Sequence, residues 1–373
     1  MALSLLVFFG VLSILVLVHE LGHFLSARRA GIKVIEFGFG LPPRIMGKRF
    51  GETLYSVNAL PFGGFVKLLG EDEEGEIEES ERQRSFLSKS RLTRSVVISA
   101  GVIMNFALAV LVFGFVYTRV GIPTKSDEVM VVGVVAGSPA QAAGIAEGDR
   151  ILDVVVSGTR RLGEKTLTGS EQFLDEVEIA DGKEIEMLLS RGGNGGDGSF
   201  SLRLTPRSDP PSGEGPLGVV ISSVVPKFYP FWQMPFRGAY YGFVEAIGWA
   251  RMVFMGFGKI VFDLITSGRV PADVSGPVGI YQLTSEVSKT GFLNLFHLIG
   301  ILSVNLAVLN ILPIPALDGG RLLFIGIEAV FGRKVLPKFE RWAHSVGLAL
   351  LLALILLVTF RDIQRLLLAG RVN

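Results

Sequence analysis

Two histidines and a glutamate interrupt an apolar run near the start of the chain, in VLVHELGHFL (16–25). Ionisable groups at membrane depth are costly and usually serve a site. His19 and His23 lie four residues apart, which on a helix is roughly 40° of rotation and about 6 Å of rise. Both imidazoles can then reach one metal ion. Glu20, beside the first, is placed to take a proton from a water that the metal activates, which is the zinc-hydrolase arrangement. Gly22 is small enough to admit another backbone. The competing reading, helix-end residues with no metal, leaves three polar side chains in an apolar helix without a shared partner.

A catalytic zinc keeps three protein ligands and one open position. The chain has no cysteine, so the remaining ligand must be His, Asp or Glu. His297 and His344 each stand near the start of an apolar span, where interfacial histidines are common. Asp318, in NILPIPALDGG (310–320), is the better candidate. The Pro-x-Pro before it breaks a helix, frees backbone and lets a carboxylate turn inward. An LDGG phrase by itself is a turn; beside an HExxH in an apolar helix it becomes specific.

The elements that must position these groups are membrane spans. Of the 373 residues, 49% are hydrophobic and only 19% charged, and the mean hydropathy is +0.49. The net charge of +1 gives no reason to expect a nucleic acid. Four apolar segments are long enough to cross a bilayer: 1–27, 96–118, 292–312 and 343–360. The first runs into HELGH rather than a small-residue cleavage site, so it reads as a retained span. Basic residues crowd the connection 28–95 and the link between the third and fourth spans. Those connections belong in the cytoplasm, with the long middle of the chain and both termini outside.

Residues 127–207 read as a β-rich domain. VMVVGVV and RILDVVV are strand-like and flank AGSPAQAAGIAEGD; KEIEMLLSR and SFSLRLTPR make a hairpin around the glycine-rich RGGNGGDGS. The GSPA…AGI…GD phrase resembles PDZ domains of bacterial proteases. Such a domain either binds a peptide carboxyl terminus by strand addition or serves as a steric cap. PLGVVI (216–221) is a weak candidate for another edge strand. Within 208–290, the aromatic stretch 228–265 carries regular charges, which suits an interfacial amphipathic helix better than a fifth span. TLYSVNALPFGGFVKLL (53–69) reads as a hairpin turning at PFGG and dipping into the membrane beside the spans. The acidic run EDEEGEIEESE (71–81) reads as a solvated loop.

HELGH in a first span, a PDZ-like insertion and NILPIPALDGG closing a third span together resemble the site-2 protease family, and within it the bacterial regulator of sigma-E protease group. ALPFGGFVKLLGE (59–71) and SGPVGI (275–280) also resemble family segments. The resemblance implies a membrane α-helical fold with four transmembrane helices. An inserted extracytoplasmic β-rich PDZ domain and a membrane-associated β-hairpin would complete it. It implies a multi-pass protein of the bacterial inner membrane, surrounded by lipid, that cleaves transmembrane segments of single-span proteins. Pre-trimmed anti-sigma factors and remnant signal peptides are the expected substrates. Zn2+ would be held by His19, His23 and Asp318, with Glu20 as general base. Asn310 matches the family asparagine near the metal and would be a donor to the developing oxyanion. Asn305 either orients substrate or packs helices. Gly63 and Gly64 would lie in the element that clamps a substrate strand. Two departures stand out: one PDZ copy where many members have two, and Val102 in GVIMNF where the family phrase has proline. An inactive PDZ scaffold and a metal transporter are the alternatives; a transport path would need several ionisable groups across the bilayer, and the spans show one cluster.

Overall fold

The computed structural model describes residues 2–71, 77–163, 166–192, 198–211, 213–267, 276–333 and 335–369. Residues 72–76 of the acidic run, most of RGGNGGDGS, and the first residue of SGPVGI lie outside the described residues. The chain divides into two compact units, residues 1–119 with 232–373, and residues 120–231.

The first unit is built on helices. They are α1 (Ala2–Arg29), α2 (Arg91–Val120), α5 (Met234–Ser267), α6 (Pro277–Thr290), α7 (Phe292–Ile311), α8 (Asp318–Phe331) and α9 (Pro337–Ala369). Among the described residues four segments are long and apolar enough to cross a membrane: Leu3–Arg29, Arg91–Val120, Phe292–Ile311 and Phe339–Arg365. This is a multi-pass membrane protein with a β-rich part. Close helix contacts occur where side chains vanish. A Cβ on Gly22 would stand 2.3 Å from the carbonyl oxygen of Ala100, so α1 and α2 touch through backbone there. Asp362 of α9 is buried and accepts from the N–H groups of Gly276 and Gly279 at 2.9 and 3.0 Å. It therefore caps α6 from a distant helix, filling the orphan donors of the first turn.

The helix α5, which falls in the stretch read as interfacial, is not among the four candidate spans. It packs on α2 where Gly238 and Gly242 face Gly114, and Glu245 accepts from His297 of α7 at 3.1 Å.

One expectation is corrected. The stretch 53–69 does reverse at PFGG, but its two halves flank residues 36–39, with 54–57 running in the same sense as that segment and 64–67 in the opposite sense, rather than pairing as one hairpin. The strands β1 (Val34–Phe50) and β2 (Thr53–Leu68) pair antiparallel about Gly51–Glu52, where Gly51 takes a positive φ of 62°. Gly63 and Gly64 lie inside β2. Residues 36–39 have partners on both sides: Phe39 faces Gly64 and also Val57. The alternating burial of 34–40 is a strand signature. Its continuation through Pro42 and Pro43 obscures it, because proline is rare inside strands.

Among its described residues the second unit is a five-stranded sheet, ordered β6-β5-β4-β3-β7, with two helices. Its strands are β3 (Ile122–Val134), β4 (Arg150–Val156), β5 (Ile185–Ser190), β6 (Ser199–Leu204) and β7 (Val219–Lys227). The helices are the short α3 (Pro139–Ala142), capped by the Ser138 hydroxyl, and α4 (Ser170–Ala180). Val129, Val131, Ile151, Val154, Ile185, Met187 and Leu189 form the core with Phe173 and Val177 of α4. The unit is wider than 127–207 at both ends. The segment containing PLGVVI supplies β7, an edge strand paired with β3.

Candidate metal centre

Three side chains meet among the helices. Nε2 of His19 lies 3.0 Å from Oδ2 of Asp318, and Nε2 of His23 lies 3.2 Å from the same oxygen. The two Nε2 atoms are 3.2 Å apart. Asp318 Oδ2 is buried and has no conventional hydrogen bond. Three electron-rich atoms thus converge on one point. A tetrahedral ion with bonds of about 2.0–2.1 Å needs ligand atoms about 3.3 Å apart. The triangle is close to that spacing, and its donor set of two imidazoles and a carboxylate suits zinc.

Helix α1 supplies both histidines, but α2 aims them. Nδ1–H of His23 donates to the carbonyl of Val97 at 2.9 Å. Nδ1 of His19 lies 3.3 Å from the side-chain amide of Asn105, which is fully buried. With its oxygen turned to the ring, Asn105 accepts from Nδ1–H, and its Oδ1 gains the partner it otherwise lacks. Both Nε2 lone pairs then face Asp318. Such outer partners fix the tautomer and orientation of metal-binding histidines. Gly101 makes the room. A Cβ there would stand 2.4 Å from His23 Nε2 and 2.7 Å from His19 Cε1. The Ser303 hydroxyl of α7 donates to the Asn105 carbonyl at 2.8 Å, tying this part of α2 to the helix that precedes Asp318.

Asp318 opens α8 after the short link 312–317 that follows α7. Leu312 is extended and Pro313 and Pro315 cannot continue a helix. The two glycines of LDGG allow the sharp return. A Cβ on Gly319 would stand 2.0 Å from the Leu312 carbonyl, and one on Gly320 2.5 Å from that of Ile314. One turn past Asp318, Arg321 makes an ion pair with Glu71, just beyond the end of β2.

Glu20 lines the same cavity as the triad, a space of about 670 Å³. Gly64 of β2 lies against it; a Cβ there would be 3.3 Å from Glu20 Cγ. Gly63, with a φ of 90°, rests on Leu41. Asn305 and Asn310 are half-buried on α7, and Asn305 Oδ1 is buried without a hydrogen-bond partner. Neither belongs to the triad or to the cavity wall among the described residues. His297 bonds Glu245, and Nδ1 of His344 accepts from the N–H of Ala316 at 2.9 Å. Among the described residues, His19, His23 and Asp318 form the one group of three suited to an ion. Asn105, Gly101, Arg321 and Glu71 went unremarked as site residues in the sequence. The signal for the first two is AGVIMNF, a glycine and an asparagine four residues apart in an apolar span, where an amide is expensive without a purpose.

A family model described as Peptidase family M50 matches residues 7–354. A candidate zinc metalloprotease of Clostridium perfringens is 35% identical over 355 residues, covering 94% of this chain and 96% of that one. The zinc metalloprotease RasP of Oceanobacillus iheyensis is 30% identical over 440 aligned positions, covering 96% and 98%. The regulator of sigma-W protease RasP of Bacillus subtilis is 29% identical, with 97% and 99% covered.

Proposed function

The chain belongs to peptidase family M50, the site-2 protease family, and from that premise we propose that it is a zinc metalloendopeptidase cutting peptide bonds within transmembrane segments. The observation that carries the proposal is the meeting of His19, His23 and Asp318 in helices long and apolar enough to lie in a bilayer. Relatives named zinc metalloproteases support zinc as the ion. His19 and His23 would hold it through Nε2 and Asp318 through a carboxylate oxygen. Bound zinc supplies Lewis acidity, polarising the scissile carbonyl and making water acidic enough to attack near neutral pH.

The chain's own residues do the rest. Glu20 takes the proton as water oxygen bonds to the carbonyl carbon, and returns it to the amide nitrogen as the C–N bond breaks. A substrate helix shields its bonds and must be unwound first. The outer edge of β2 from Gly64 onward, beside Glu20, offers backbone groups to an unwound strand. Gly63 gives that strand its bend. Asn310 would donate to the oxyanion and Asn305 would orient substrate.

The substrates would be single-span proteins of the bacterial cytoplasmic membrane. Pre-trimmed anti-sigma factors and leftover signal peptides fit, in line with the sigma-W name of one relative. The β-rich unit would be a PDZ domain outside the cytoplasm, excluding large ectodomains or engaging a freed carboxyl terminus. Both chain termini would lie on that same side.

The test is cleavage of a panel of single-span proteins by the purified chain in detergent or liposomes, with Glu20→Gln beside wild type. Cleavage by wild type alone, with zinc in elemental analysis, is the expected outcome. A Glu20→Gln variant as fast as wild type would overturn the assignment.

A further inference from the structure

The loop that carries Asp318 is braced by a helix that gives nothing to the triad. Ala316, two residues before Asp318, has a φ of 78°. That is the left-handed region, unfavourable for a residue with a Cβ. Its N–H donates to Nδ1 of His344 on α9 at 2.9 Å. Gly347, three residues further along α9, lies against the preceding residue of the same loop. A Cβ on it would stand 2.6 Å from both the carbonyl oxygen and the Cβ of Pro315. The ring of His344 also packs on Phe324 of α8, with centroids 5.7 Å apart. One turn of α9 thus grips Pro315, Ala316 and the helix that Asp318 begins.

We propose that His344 is a positioning residue for the metal centre: it accepts the Ala316 N–H, holds the left-handed turn, and through it aims the Asp318 carboxylate at the two imidazoles. The fourth candidate span is then required for metal retention although it supplies no ligand. This rests on the zinc reading above. It differs from ordinary helix packing because it depends on an acceptor atom and not on the ring.

Two substitutions separate those roles. His344→Phe keeps a ring against Phe324 and removes the acceptor. His344→Asn gives up the ring and keeps an acceptor, since Oδ1 stands as many bonds from the backbone as Nδ1 does. Zinc affinity is measured by chelator competition on the full-length protein in detergent. The visible spectrum of the cobalt-substituted protein reports ligand geometry independently of activity. Loss of an outer partner typically weakens metal binding 10–100-fold. His344→Phe should show a loss of that order and an altered cobalt spectrum in a protein that still folds, with a lowered thermal stability from the unpartnered Ala316 N–H. His344→Asn should stay within about threefold of wild type. If His344→Phe does not fold, His344→Leu, undemanding in a leucine-rich helix, carries the same expectation. Wild-type affinity and spectrum in the variants lacking an acceptor would overturn the inference, as would an Asn variant as impaired as the Phe one. A wild-type protein that takes up neither zinc nor cobalt would overturn the zinc reading itself, and this inference with it.

Discussion

The sharpest prediction concerns Gly101. Replacing it by alanine adds one carbon to a place bounded by two imidazoles. The new Cβ would stand 2.4 Å from His23 Nε2, 2.7 Å from His19 Cε1 and 2.9 Å from His19 Nδ1. Ordinary contact distance is about 3.5 Å, so the rings or α2 must move by about 1 Å. Neither ring has slack: Val97 holds His23, Asn105 holds His19, and α1 meets α2 through backbone at Gly22. Overpacking of this kind costs about 1–3 kcal/mol of stability. Its effect on function should be larger, since a displacement of about 1 Å at a reacting centre can cost about 100-fold in rate. Zinc content, thermal stability and cleavage rate are measured together. Gly10→Ala on α1 is the control, because nothing lies within 4 Å of a Cβ there. That change should be neutral or stabilise by about 0.5–1 kcal/mol. A Gly101→Ala protein with full zinc and a wild-type rate would refute the placement of both histidines and the reasoning built on it.

Other consequences follow from the same contacts. Asn105→Ala removes the partner of His19 Nδ1 and should weaken zinc about 10–100-fold in chelator competition, whereas Asn105→Asp, which keeps an acceptor, should lose less. Asp362→Ala uncovers two buried N–H groups at the start of α6 and should cost about 1–3 kcal/mol in thermal unfolding, with Asp362→Asn in between. In the β-rich unit, burial pushes the Asp149 carboxyl up, but Arg191 at 2.6 and 2.7 Å and the Ala146 N–H outweigh it and hold it below the usual range. Its folded value is depressed, so its contribution is complete above the ordinary aspartate value near 4 and is lost as pH falls through the folded one. Hydrogen exchange of β4 and β5 should accelerate over that acid window, and Arg191→Ala should alter that pH dependence, leaving Asp149 with burial and the Ala146 N–H alone.

What could be read from the sequence was whatever one helix or one break decides locally. The i,i+4 spacing in HELGH needs only helical geometry, and Pro-x-Pro before Asp318 needs only the loss of helix. The structure brings these groups within 3.2 Å of one another. The reversal at PFGG is local turn chemistry and is legible; that its flanks pair with opposite sides of residues 36–39, and that a second turn sits at Gly51–Glu52, is decided by β1 and is not. Gly101, Asn105 and His344 were not legible as site residues. Their roles depend on which face of α2 meets α1 and on where α9 touches a loop; the spacing in AGVIMNF puts Gly101 and Asn105 on one face of α2 but does not say what that face meets. Asp362 belongs with them: SGPVGI stood out as a phrase, but its carboxylate partner lies more than eighty residues away.

The proposed ligand set also orders events during synthesis. His19 and His23 precede Asp318 by almost 300 residues. A nascent chain that has not reached α8 would therefore carry an incomplete centre, and the three side chains could close on an ion only once α8, and the turn of α9 that touches its loop, settle beside α1.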